Sequence, residues 1–306
     1  MPKVSVIVPN YNHAAFLRER IESILEQTFQ DFELILLDDC STDSSRSVLD
    51  EYSKNIHVTH CVYNSNNSGI PFSQWAKGIA LSKGEWIWIA ESDDVADRFF
   101  LETLMNAVDC FPTSGLAYSH LNWINADGEF LYSQEDTDEV RFYKGDDFAK
   151  QKLLFSTTIF NVSSCVFRKD IYGKVNHEVY MHMKMCGDYS LYTQLSQITD
   201  IVEVGRVLDS YRIHENNTSA LLSKRGAHWK EQMPILDFIC SHYSIPQNKY
   251  AHFYARSIIK NHYSFGDAVG ILRCFLPKHF QVVLYWIVLS FKDFFKRATT
   301  VLKHGK

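Results

Sequence analysis

Two nucleotide-binding fingerprints are missing from this chain. No G-x-G-x-x-G follows the first apolar run, where "PNYNHA" stands instead, so a dinucleotide-dependent oxidoreductase is disfavoured. No G-x-x-x-x-G-K-[ST] occurs either, which argues against a P-loop enzyme. The cysteines Cys40, Cys61, Cys110, Cys165, Cys186, Cys240 and Cys274 are odd in number, scattered, and never spaced C-x-x-C. That pattern provides neither a disulfide frame nor a zinc site and reads as reduced thiols of a cytoplasmic protein. No segment reaches the roughly 20 apolar residues needed to span a bilayer. The nearest, "FQVVLYWIVLSF" from Phe280 to Phe291, is too short and contains Gln281. "MPKVSVIVPNYN" lacks the apolar core of a signal peptide, so the sequons at Asn66, Asn161 and Asn216 are read as chance. A formal net charge of -5 supplies no basic field for nucleic acid.

What is present is a core-forming composition: 46% hydrophobic and 14% aromatic over 306 residues, which disfavours disorder. The first third alternates strands and helices. "KVSVIVP", "FELILLDD", "NIHVTHCVY" and "EWIWIAE" are strand-like; the stretch bearing Phe16, Ile21, Ile24 and Leu25, then "STDSSRSVLDEY" and "FSQWAKGIALSKG", are helical. That alternation predicts βαβ units and a mostly parallel, Rossmann-like sheet flanked by helices, with ligands at the carboxyl ends of its strands. Downstream, "AYSHLNWINADGEFLYS" predicts two strands joined at Asp127-Gly128, "SSCVFRKDIY" a short strand, "GDYSLYTQLSQI" a helix, and "DIVEVGRVLDSYRIH" an extended segment. From about Ala220 the pattern is helical to the end. Residues 1–219 are expected to form the main domain, with 1–97 and 98–219 as its halves, and 220–306 a helical extension. There is no internal repeat or low-complexity tract.

The polar residues at the predicted strand ends carry the functional argument. "WIWIAESDDVAD" ends a buried strand on Glu91, Asp93 and Asp94. Like charges this close repel, and burying them is more costly still. A bound cation would relieve that cost; a capping role for the next helix is the alternative. "PNYN" and "DDCSTD" occupy the first two strand ends. A strand-end carboxylate there could accept the imide N–H of uracil or thymine, or could cap the following helix.

Together and in order, "PNYN", "DDCSTDS", "ESDD", "CGDYSLYTQL" and "YRIHENNTS" resemble glycosyltransferase family 2, inverting enzymes with a GT-A fold, over roughly residues 1–220. The resemblance implies transfer of a sugar from a nucleoside diphosphate (a UDP or dTDP sugar favoured) to a hydroxyl of a glycan or lipid-linked acceptor, in a setting such as bacterial surface polysaccharide synthesis. It implies that Asp39, with Asp38 beside it, contacts the base, and that Pro9, Tyr11 and Asn12 form the adjoining wall. "ESDD" matches the family's D-x-D: Asp93 is the implied ligand of Mn²⁺ or Mg²⁺, Asp94 and Glu91 supporting, with Ser92 between them on the donor side. Glu91 departs from the usual Asp and is one methylene longer. Asn67 and Lys77 fall in the stretch that adjoins the donor, although Ala76 stands where an Asn is usual. Asp188 matches the general base that takes the acceptor's proton, and Gly187 replaces the usual preceding acid. A helix N-cap is the alternative for Asp188, and there the helix would weaken it as a base. His214 matches a closing histidine that ligates metal or touches the diphosphate, with Arg212 adding positive charge. His13 is a loop residue of unassigned role.

The last stretch combines an apolar centre with Tyr285 and Trp286 and then Lys292, Lys296, Arg297, Lys303 and Lys306. Two readings stay open: an interfacial helix on an anionic membrane, giving peripheral contact at its inner face, or a docking helix or oligomer contact. A second function class also stays open, a non-catalytic sugar-nucleotide-binding or scaffolding protein, permitted by the departures at Glu91, Gly187 and Ala76. A phosphatase- or receiver-like acid cluster would account for "DD" and "ESDD" but not for "YRIH".

Overall fold

The computed structural model describes residues 1–215, 217, 228–261, 263–276 and 278–291. The chain divides into two compact units, one formed by Met1–Phe148 with Ile159–Asn217, the other by Ala149–Thr158 with the residues from Thr218 on. The first unit carries strands β1 (Val4–Asn10), β2 (Phe32–Asp38), β3 (Val58–Tyr63), β4 (Trp86–Ile89), β5 (Val95–Ala96), β6 (Ser114–Ile124), β7 (Phe130–Ser133), β8 (Val140–Tyr143), β9 (Cys165–Arg168) and β10 (Asp200–Arg212). Its helices are α1 (Ala14–Leu25), α2 (Ser45–Tyr52), α3 (Pro71–Leu81), α4 (Phe100–Cys110), α5 (Gly145–Phe148), α6 (Lys169–Tyr172) and α7 (Gly187–Leu195).

The strands form one mixed sheet in the order β3-β2-β1-β4-β9-β6-β10-β5, with β7 beside β6 and β8 beside β10. β3, β2, β1 and β4 are mutually parallel, as the strand–helix alternation predicts. β9 then runs antiparallel to both β4 and β6, and β10 runs parallel to β6. Two reversals cancel, so β6 and β10 point the same way as β1. The carboxyl ends of β1, β2, β4, β6 and β10 therefore share one edge, and every motif singled out above on a strand end lies along it. One antiparallel member has a local cause: β6 returns as β7 through a turn in which Asn125 N donates to Glu129 O and Gly128 takes φ +83°. β1 runs through Pro9 to Asn10. Pro9 has no N–H to offer, but β4 stops pairing at Ile7, so no bond is missing on that side.

β1, β2 and β4 are buried on both faces, which is why their sequences are almost unbroken apolar runs. On one face Leu17, Ile21 and Ile24 of α1, at helical spacing, and Phe100, Leu104 and Val108 of α4 pack on Val4, Val6, Val8 and Trp88. Each such side chain contributes about 1.5–3 kcal/mol when fully buried. On the other face α3 lies so close to β1 that a Cβ at Gly78 would come within 2.4 Å of Ile7 Cγ2. Only glycine permits that approach.

The second unit contains α8 (His228–His242), α9 (Ala251–Lys260), α10 (Phe265–Phe275) and a further helix over residues 280–291. Its core gathers Trp229, Tyr254 and Phe275, whose rings meet at 5.5–5.8 Å. His279 accepts or donates at both ring nitrogens, to the Tyr250 hydroxyl at 2.6 Å and to Asp237 at 2.5 Å, which ties α8 to the start of the last helix. No helix among the described residues is long and apolar enough to cross a membrane.

Candidate active site

The loops after β1 and β2 build one wall of the shared edge. Asn12 adopts φ +57°, a left-handed conformation that Asn tolerates, and its Oδ1 accepts from Thr42 N at 2.7 Å. Ser41 Oγ accepts from Asn12 N at 2.9 Å, so "PNYN" and "DDCSTD" are laced together. Asp38 is fully buried and internally engaged: it accepts from Asn10 Nδ2 at 3.1 Å, Ser41 N at 3.0 Å and Arg46 Nε at 3.1 Å. Asp39 faces the loop before α3. It accepts from Asn64 Nδ2 at 2.6 Å, Ser68 Oγ at 2.7 Å and Gln74 Nε2 at 2.9 Å, while Asn67 Nδ2 donates to its carbonyl at 3.2 Å. Lys77 hydrogen-bonds Asn64 and so supports Asp39 through it. Pro9 is the penultimate residue of β1, and Tyr11 stands half-exposed just past the strand's end. The neighbouring acids thus divide their labour: Asp38 knits the turn and Asp39 holds residues 64–68 against it.

At the end of β4 the acids point to different partners. Glu91 accepts from Trp75 Nε1 at 2.8 Å. Burial first, then the charge of Asp93, pushes Glu91 up to about 8, so it is mostly protonated at neutral pH. Ser92 Oγ lies 2.8 Å from His13 Nδ1. Asp93 Oδ2 lies 2.9 Å from His214 Nε2. Burial alone would raise the Asp93 carboxyl, but the bond from His214 and the nearness of His13 outweigh it and hold it below its ordinary value. Asp94 faces away from these imidazoles into the protein. It accepts from Asn161 Nδ2 at 2.5 Å, Ser163 Oγ at 2.6 Å and Arg212 N at 3.1 Å. Burial and the charge of Asp93 raise it to about 7.

One ligand atom from each of His13, Asp93 and His214 lies within 4.8 Å of the others, the single such grouping among the described residues. Burial lowers the pKa of His13, which favours the neutral ring with a lone pair to give. Two imidazoles and a carboxylate suit Mn²⁺ better than Mg²⁺, which prefers oxygen alone. Arg212 does not face this cluster with its guanidinium. Its Nε donates to the Asp93 carbonyl at 2.8 Å, Nη2 to Glu19 at 2.6 Å and Nη1 to the carbonyls of Asn125 and Ala126 at 3.3 and 3.2 Å. Beneath the acids Arg20 lies fully buried, 3.8 Å from Asp209 and 5.0 Å over the Trp88 ring.

Asp188 sits in the first turn of α7, half-buried, and accepts from Tyr189 N at 2.7 Å. A Cβ on the preceding Gly187 would come within 2.2 Å of the Phe72 ring. Phe72 in turn packs edge-on against Trp75 at 4.8 Å, the residue that holds Glu91. The absent acid at 187 is therefore a matter of space: an aromatic from α3 occupies it.

Several of these residues carried no usable signal in the sequence. Asn161 caps, and Ser163 lies within, a single 3-10 turn (Val162–Ser164) before β9, and Trp75 reads as a core residue of α3. His13 directly follows "PNYN", and its position just past a strand end was the one available hint.

The glycosyl transferase family 2 model matches residues 5–175. Glycosyltransferase GlyG of Streptococcus pneumoniae serotype 4 is 32% identical over 150 residues, 49% of this chain and 46% of that protein. The putative teichuronic acid biosynthesis glycosyltransferase TuaG of Bacillus subtilis is 37% identical over 93 residues, 30% of this chain and 36% of that protein. The match thus spans about half or less of these relatives' length. Among solved structures, Staphylococcus aureus TarS 1–349 with UDP-GlcNAc superposes with a TM-score of 0.65 at 18% identity, over 92% of this chain and 79% of that one. The mannosyltransferase PcManGT from Pyrobaculum calidifontis, with GDP-Man and Mn²⁺, gives 0.56 at 17% identity, over 98% and 83%. At these identities the structural likeness establishes the fold.

Proposed function

The chain belongs to glycosyltransferase family 2, and from that premise we propose that it is an inverting transferase that moves a sugar from a nucleoside diphosphate, UDP or dTDP, to a hydroxyl of a glycan or lipid-linked acceptor in surface-polymer synthesis. The observation that carries this reading is the convergence of Asp93, His214 and His13 at the edge where the strand ends meet. TarS and PcManGT, which share the fold, bind UDP-GlcNAc and GDP-Man respectively. GlyG and TuaG, which share sequence, are glycosyltransferases by name.

In this reading Pro9, Tyr11 and Asn12 form one side of the base pocket, and Asp39, with the 64–68 loop it organises, the other. Asp38 keeps the turn in shape, and Asn67 and Lys77 support it from the donor side. Asp93, His214 and His13 would hold Mn²⁺. Such an ion, when bound, neutralises charge developing on the departing diphosphate. Glu91 and Ser92 line the same edge, where each offers side-chain oxygen to a sugar or ribose hydroxyl. Asp94 holds the residues before β9 and the end of β10 in place around that seat. Asp188 accepts the proton of the acceptor hydroxyl as it attacks the anomeric carbon, and no covalent enzyme intermediate forms.

The C-terminal helix supports a peripheral place at the inner face of the cytoplasmic membrane. Phe280, Leu284, Ile287, Val288 and Phe291 are each at least 40% exposed and fall on one stripe of residues 280–291. Lys292, Lys296, Arg297, Lys303 and Lys306 follow in sequence, beyond the described residues. An apolar stripe with adjoining basic charge suits an anionic bilayer surface.

The test is calorimetric titration with UDP, dTDP and GDP, each with Mn²⁺ and again with EDTA, followed by a donor screen with the Asp188→Asn variant. Binding of one nucleotide that EDTA weakens, and loss of transfer in Asp188→Asn with donor binding intact, supports the reading. Tight donor binding with no turnover by the unaltered protein would instead make it a sugar-nucleotide-binding or scaffolding protein.

A further inference from the structure

Three aromatic rings stand together where β6 ends. Trp123 stacks on Tyr132 of β7 with ring centroids 4.5 Å apart and planes 23° from parallel. Phe160 meets Trp123 edge-on at 5.5 Å. Tyr132 and Phe160 are 51% and 46% exposed, so this is an outward-facing apolar surface and not core. Grouped aromatics in water are unfavourable unless something covers them.

Their place identifies what that is. β6 points the same way as β4, so Trp123 lies on the edge that carries Glu91–Asp94. The next residue after Phe160 is Asn161, whose Nδ2 donates to Asp94 at 2.5 Å. Trp123 is paired across the sheet with Tyr211, adjacent to Arg212, whose N–H donates to the same carboxylate at 3.1 Å. The aromatic group is thus linked through two independent single-residue steps to the acids beside the cation seat. It lies on the opposite side of β4 from the nucleotide loops after β1 and β2 in the strand order.

Resting on the transferase reading above, we infer that Trp123, Tyr132 and Phe160 form the platform that receives a pyranose ring of the acceptor. A pyranose presents polarised C–H groups on one face, which pack on the electron-rich faces of aromatic rings. Its hydroxyls at the rim remain free for hydrogen bonds and for reaction. The half-exposed rings of Tyr132 and Phe160, backed by Trp123, supply this without reading any single hydroxyl, so the acceptor class is a saccharide, and the sugar unit nearest the reacting hydroxyl is the one that stacks.

The unaltered protein, with UDP and Mn²⁺ present, is titrated with the methyl β-pyranosides of glucose, galactose, N-acetylglucosamine and N-acetylgalactosamine, read by calorimetry and by NMR saturation transfer. At least one pyranoside binds, and Tyr132→Ala and Phe160→Ala each weaken it about tenfold, the weight of one aromatic contact. Leu131→Ala, next to Tyr132 on the alternate face of β7, leaves it unchanged. These exposed positions are chosen over Trp123 because their removal leaves the strand core intact. Failure of every pyranoside to bind while UDP binds overturns the platform and leaves the transferase reading standing. Unchanged pyranoside affinity in both variants overturns it too, as does a shift from dimer to monomer on sedimentation, which would make the rings a contact between copies. If UDP itself fails to bind, the donor reading falls; a pyranoside still weakened in the variants then keeps the saccharide platform by itself.

Discussion

Asp94 offers the sharpest test of how the acids after β4 divide their roles. Replacing it with Ala removes the acceptor for Asn161 Nδ2, Ser163 Oγ and Arg212 N. The carboxylate is 1% exposed, so water replaces it poorly. A buried donor left without a partner costs about 1–3 kcal/mol. Partial relaxation across three such groups gives a total of roughly 3–5 kcal/mol, a large share of the ~5–15 kcal/mol that holds a typical domain. For a unit of this size that corresponds to a fall in melting temperature on the order of 10 °C. Circular dichroism reads the melt, and calorimetry well below it reads the nucleotide. UDP affinity in the presence of Mn²⁺ is expected to stay within about threefold, below ~1 kcal/mol. Asp93→Ala should instead lose the dependence of UDP binding on Mn²⁺; it strands one buried partner, His214, where Asp94→Ala strands three, so it should lower the melt by less. An Asp94→Ala protein that melts normally but loses the Mn²⁺ dependence would refute this reasoning and make Asp94 a direct ligand.

Other outcomes follow from the same coordinates. His120 lies 3.0 Å from Glu203, whose hydrogen bond raises the histidine's pKa more than burial lowers it. A raised folded pKa gives stability that is complete below the unfolded value of about 6.5 and fades as pH rises through the folded one. His120→Gln should therefore lower the melting temperature more near pH 6 than near pH 8.5, and an equal drop at both would contradict the pairing. Gly187→Ala should destabilise by about 1–3 kcal/mol through overlap with Phe72, and Phe72→Leu in the same chain should recover much of it; additive losses in that double-mutant cycle would show the clash is not with Phe72. Leu284→Glu with Val288→Glu should abolish cosedimentation with vesicles containing phosphatidylserine and leave UDP binding unchanged; retained sedimentation would remove the membrane assignment.

Much of the fold could be read in the sequence because its signals are local. Apolar runs of strand length, helical spacing in α1 and the Asp127-Gly128 turn each depend on a few adjacent residues, and they produce the parallel β1–β4 half and the β6–β7 hairpin. Parallel strands bring their carboxyl ends to one edge, so the gathering of "PNYN", "DDCSTD" and "ESDD" there followed as well. The mixed second half of the sheet was less legible, since β9 inserts between β4 and β6 although it comes after both in the chain. The differences among the acids were beyond the sequence. Asp93 and Asp94 are neighbours of the same type, yet one meets His214 and His13 while the other meets Asn161, Ser163 and Arg212. The partners of Asp94 lie 67 to 118 positions away along the chain. Gly187 likewise owes its lack of a side chain to Phe72, which arrives from α3. Periodicity and turn chemistry are properties of adjacent residues; the charge state and task of a buried carboxylate depend on which distant donors the packed chain brings within about 3 Å of it.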